Sequence, residues 1–158
     1  MDFDFTEEQD ILRKTANNFF ANECGSIFVR EMEKDEKGIT PELWKKMSEL
    51  GWMGVMFPEE YGGINGNFLD MIVLLSEMGY GCVHGPFFST VVLSGLTILE
   101  AGGEKQKQDL LPMISNGSIF VTLALTEESA TYTPDGISVK SVKDGDDYVI
   151  NGIKLFVP

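Results

Sequence analysis

Basic residues are scarce in this chain. Lysine and arginine together number 12 against 25 aspartates and glutamates, a formal net charge of −13 over 158 residues. So acidic a surface repels phosphate backbones and anionic membranes, which argues against nucleic acid and anionic bilayers as partners. Histidine is nearly absent. The one copy, His84, has no nucleophile or carboxylate at a readable spacing, and one imidazole builds no metal site. Cysteine is also rare. Cys24 and Cys82 lie far apart with no metal-ligand spacing, the pattern of reduced thiols in a cytoplasmic protein. No apolar run approaches the ~18 residues of a membrane helix, so insertion into a bilayer is not expected. The start, Met1-Asp2-Phe3-Asp4, is acidic where a secretory signal would be basic.

Core material is plentiful. Apolar residues make up 43% of the chain and 11 of them are phenylalanine, enough for a packed globular domain. Up to about residue 115 the apolar spacing is helical. Thr6-Glu7-Glu8-Gln9 has the form of a capping box, and Ile11, Leu12, Thr15, Ala16, Phe19 and Phe20 then form one stripe that ends near Cys24-Gly25. A short polar helix or loop follows to Gly38. Thr40-Pro41 starts a second helix with Leu43, Trp44, Met47 and Leu50 facing inward, stopped by Gly51. Asn67 caps a third through Leu69, Ile72, Val73, Leu75 and Met78. Pro86 opens a fourth through Phe87, Phe88, Val91, Val92, Leu96 and Leu99. A fifth runs from about Glu104 to Ser115, with Pro112 predicting a kink or an early end.

From Ser118 the period becomes that of strands. Phe120 to Glu127 reads as a buried strand ending on two polar side chains, Thr126 and Glu127. A Ser/Thr/Pro-rich loop, a second strand, an Asp144-Gly145-Asp146 turn and an apolar segment from Asp147 to Val157 follow. The composition shift divides the chain into a helical domain, residues 1–116, and the start of a β domain, residues 117–158. The expected class is mainly α with a β segment: an all-α domain followed by an incomplete antiparallel β domain. Its open strand edges suggest the front part of a longer protein.

Chemistry is thinly signalled by the residues themselves. Thr126-Glu127 could offer a ligand a hydroxyl and a carboxylate, or could simply close the strand and satisfy the loop. Gly62-Gly63-Ile64-Asn65-Gly66 has no strand before it and lacks the spacing of a phosphate cradle, so it reads as a tight connection. The Phe87-Phe88 and Val91-Val92 pairs read as core.

Four segments taken together are more specific. They are Leu50-Gly51-Trp52-Met53-Gly54-Val55-Met56-Phe57-Pro58-Glu59-Glu60-Tyr61-Gly62-Gly63, Leu74-Leu75-Ser76-Glu77-Met78-Gly79, Leu123-Ala124-Leu125-Thr126-Glu127 and Tyr148-Val149-Ile150-Asn151-Gly152-Ile153-Lys154. In this order and spacing the chain resembles the acyl-CoA dehydrogenases over its whole length. The resemblance implies an N-terminal helical domain and the start of the middle β domain. It implies FAD as cofactor and oxidation of the α–β bond of an acyl-CoA thioester, with electrons passing to an electron-transfer flavoprotein. Homo- or hetero-oligomers are also implied. By this resemblance Leu123, Leu125 and Thr126 meet the flavin, Phe156 and Val157 pack beside it, and the Phe87–Leu99 helix helps shape the acyl pocket. The catalytic carboxylate of the family would lie beyond this chain, so no catalytic residue is assigned and the 158 residues alone are expected to be inactive. Two departures stand out. Tyr132, in Glu128-Ser129-Ala130-Thr131-Tyr132-Thr133, takes the place of a serine that meets flavin phosphate or substrate. Pro158 falls where many members place a threonine.

Overall fold

The computed structural model describes residues 4–158. It is mainly helical with one two-stranded antiparallel sheet, and it divides after Val121 into two compact units.

The first unit is built on helices that begin as their sequences dictate. Helix α1 (Glu7–Glu23) opens on the Thr6–Gln9 capping box and α4 (Phe68–Tyr80) on an Asn67–Asp70 box. The two boxes are bonded to each other, since Gln9 Nε2 donates to Asp70 Oδ1 at 2.9 Å. Seven to eight residues on, Asn17 Nδ2 donates to Glu77 Oε2 at 2.7 Å. α1 and α4 therefore run side by side in the same direction. Between them come α2 (Ser26–Met32) and α3 (Pro41–Glu49), the latter capped by Thr40.

Residues 52–66 form a tight knot of backbone. Ile64 N donates to Gly54 O, Asn65 N to Phe57 O and Gly66 N to Val55 O. A Cβ on Gly63 would collide with the Phe57 carbonyl, and one on Gly66 would come within 2.5 Å of Val55 O. The glycine-rich stretch is a close backbone crossing, which only glycine permits.

The fourth predicted helix has the expected extent but an unexpected winding. Residues Phe88–Gly95 are a π-helix that runs into α5 (Leu96–Ala101). The Ser94 hydroxyl donates to the carbonyl five residues back, Ser89 O, at 2.8 Å. Gly95 lies so close to Phe57 that a Cβ there would meet the ring at 2.5 Å. Helix α6 (Glu104–Ser115) continues three residues past Pro112, so the early end does not occur.

The core gathers Ala16, Phe20, Met47, Met53, Phe57, Met71, Leu74, Val91, Leu111 and Ile114, all essentially inaccessible. Several expected core positions lie outside it. Ile11, Leu50, Leu69, Ile72 and Phe88 are exposed, because the stripes of α1, α3, α4 and the π-helix are narrower than the run of apolar residues. In α4 the inward face is carried by Met71, Val73, Leu74 and Met78.

The second unit, Thr122–Pro158, holds strands β1 (Lys140–Asp144) and β2 (Asp147–Asn151), paired Lys140↔Asn151 through Asp144↔Asp147. Gly145, at φ +63°, opens the two-residue turn. Two strand expectations need correction. Residues 120–127 are extended but belong to no sheet, with Phe120 60% and Leu125 47% exposed. β2 stops at Asn151 instead of running on to Val157. A run of β-formers is buried only where layers cover both its faces, and none does so among the described residues of this unit.

Candidate functional site

Glu127 organises the second unit. Its carboxylate accepts from Ser138 N and Ser138 Oγ, each at 2.6 Å, from Val139 N at 3.2 Å, and from Lys154 Nζ at 2.6 Å. Only 4% of Glu127 is exposed. The Lys154 ammonium, and then the Ser138 donors, hold its carboxyl down at about 2, against an ordinary 4.5. A carboxylate this well satisfied is a structural anion and not a proton acceptor. Of the two readings of Thr126-Glu127, the second fits Glu127: it satisfies the loop.

Lys154 does further work. Its ammonium also donates to Leu125 O at 3.3 Å. The next residue, Leu155, donates its N–H to Thr126 O at 2.8 Å. At the far end the Thr122 hydroxyl donates to Pro158 O at 2.6 Å. Residues 122–126 and 154–158 therefore lie alongside each other, running in opposite directions. This brings Leu123, Leu125 and Thr126 onto one ribbon with Phe156 and Val157.

Leu123 and Thr126 are half-buried, while Leu125 and Val157 are exposed. The Thr126 hydroxyl makes no hydrogen bond among the described residues. Phe156 is 91% exposed and sits at φ +51°, a conformation that costs a bulky residue about 1–3 kcal/mol and tends to gather at ligand sites. Tyr132 is exposed and shares a cavity of about 230 Å³ with Leu125 and Glu127. Lys154 closes one of the four motif segments, yet sequence reasoning gave it no role. A signal existed, since a glutamate at the end of an apolar run needs a cation if it is to be buried.

Comparison with known proteins decides the family. A family model described as acyl-CoA dehydrogenase, N-terminal domain, matches residues 6–118. The chain belongs to the acyl-CoA dehydrogenase family.

A probable acyl-CoA dehydrogenase, YngJ, of Bacillus subtilis is 34% identical over 160 residues, covering 99% of this chain and 41% of that protein. Among solved structures, an acyl-CoA dehydrogenase of Bacillus anthracis complexed with FAD superposes with a TM-score of 0.84 at 28% identity, over 98% of this chain and 27% of that one. The ChsE4–ChsE5 complex of Mycobacterium tuberculosis gives 0.85 at 25% identity, over 99% and 42%. The chain thus spans about two fifths of the length of the curated acyl-CoA dehydrogenases it matches. Its helical unit and short hairpin correspond to the family's N-terminal domain and the start of its β domain.

Proposed function

We propose that this chain is part of an FAD-dependent acyl-CoA dehydrogenase that oxidises the α–β bond of an acyl-CoA thioester. One observation carries the reading: the Glu127–Lys154 pair locks residues 123–126 against residues 154–158. The resulting ribbon has exposed apolar side chains and one unspent hydroxyl. This suits a flat ring that is apolar on its faces and polar at its edge. A structural relative complexed with FAD supports the same cofactor.

In this reading Leu123, Leu125 and Thr126 would hold the flavin, Thr126 through its hydroxyl, with Phe156 and Val157 packed beside it. Tyr132 would meet flavin phosphate or substrate. The chemistry that FAD supplies when bound is acceptance of a hydride. Glu127 is not the base that takes the α proton, because its lone pairs are spent on Ser138, Val139 and Lys154. The 158 residues alone are inactive, since a shared site loses contact area and water exclusion when part of it is missing. The domain boundary is read at residues 116 and 117, five residues before the division into compact units after Val121. Electrons pass to an electron-transfer flavoprotein in the cytoplasm. The enzyme works as a homo- or hetero-oligomer, a reading supported by the mycobacterial ChsE4–ChsE5 complex.

The test is purification of the polypeptide extended to the length of its relatives. A yellow protein that bleaches on addition of an acyl-CoA supports the proposal; a colourless one contradicts it. A second reading, a non-catalytic partner subunit that binds little or no flavin, is favoured by Tyr132 and by Pro158, whose ring nitrogen has no proton to donate. That reading gains if the extended protein is colourless yet co-elutes with an active subunit.

A further inference from the structure

The first unit contains a cavity of about 640 Å³, lined entirely by residues between Lys37 and Phe120. It shares no residue with the proposed flavin ribbon. Its walls are aromatic. The rings of Trp44 and Phe120 lie 4.8 Å apart, tilted by 50°, and Phe120 is 60% exposed. Pro41 and Pro86 add further apolar wall.

Several of the polar groups around it each make one hydrogen bond within the protein. Trp44 Nε1 donates to Gly117 O at 2.9 Å, Thr40 Oγ1 accepts from Leu43 N, Ser48 Oγ donates to Lys45 O, and Asn116 Oδ1 accepts from Ser118 N. Gly117 is needed there. It sits at φ +71°, and a Cβ would come within 3.0 Å of Trp44 Nε1. The walls are predominantly apolar and aromatic, which favours a ligand with an apolar body over a sugar.

Charge supplies the remaining specificity. In a chain of net charge −13, both ionisable residues lining this cavity are lysines, Lys37 and Lys45. Lys37 makes no ion pair among the described residues, and Lys45 reaches Glu49 only at 3.7 Å. Size, apolar lining and a small number of charged groups are the marks of a small-molecule pocket. We propose that this cavity binds an amphipathic monocarboxylate, its aromatic body between Trp44 and Phe120 and its carboxylate toward Lys37 and Lys45.

The test uses the 158-residue chain with 2-naphthoate and its neutral isostere 2-naphthamide, by calorimetry at low salt and by amide chemical-shift mapping. The acid binds about two- to tenfold tighter than the amide, the range expected of two exposed lysines, and shifts cluster at residues 37–48 and 116–120. The double variant K37Q/K45Q brings the ratio to one, and Phe120→Ala weakens both ligands without lowering the melting temperature. Equal binding of acid and amide by the parent chain overturns the proposal. So do unaltered binding in Phe120→Ala, shifts confined to residues 140–157, or no binding at millimolar ligand.

Discussion

The two units of this chain are held together by opposite means. Every buried hydrophobic residue among those described lies between Ala16 and Ile114. In Thr122–Pro158 the one buried residue is a charged glutamate. The first unit is organised by apolar burial, the second by an ionic hub, while its Val142, Tyr148, Ile150 and Ile153 stay exposed. A β-hairpin with both faces exposed is at best marginally stable by itself. Elements held by few apolar contacts open at lower free energy than a packed core. Stability therefore resides in the helical unit, and the second unit opens more easily.

The largest effect should come from breaking the core. Phe57→Ala removes a fully buried ring that abuts Gly95, and should cost about 3–5 kcal/mol, read as a lower cooperative melting temperature. If the melt is unmoved, the core is not where stability lies. Next, Glu127→Gln should sharpen the contrast. Hydrogen exchange at the Ser138 and Val139 amides should rise severalfold, while amides in α1, α4 and α6 keep their protection. Acid should do the same without a mutation. The folded carboxyl at about 2 lies below its ordinary 4.5, so its contribution is whole above pH 4.5 and fades as pH falls toward 2. Protection of Ser138 and Val139 at pH 6 should equal that at pH 5 and decline from pH 4 downward. The smallest effect belongs to Val149→Thr on the exposed hairpin, within about 0.5 kcal/mol on the global melt.

The helical unit was largely legible in the sequence because its signals are local. Thr6, Thr40 and Asn67 fixed helix starts through their own side chains, and the turn at Asp144-Gly145 named its hairpin. The π-helix was not legible. Gly95, at its end, fits closely against Phe57, 38 residues away in sequence, and sequence spacing carries no such contact. The Phe120–Glu127 segment misled because a run of β-formers indicates strand preference but not the layers needed to bury it. The family resemblance assigned Leu123, Leu125, Thr126, Phe156 and Val157 to one flavin, but the ribbon of residues 122–126 and 154–158 was not foreseen. Its physical cause, Glu127 meeting Lys154 across 27 positions, could be read only from the fold.

The central claim is that this ion pair presents the Thr126 hydroxyl to a flavin. The direct measurement is FAD affinity of the polypeptide extended to the length of its relatives, parent against Thr126→Ala, by titration of flavin absorbance. Loss of one hydrogen bond should weaken binding about five- to tenfold, with the melting temperature of the flavin-free protein unchanged. Equal affinity in the two proteins would contradict the account.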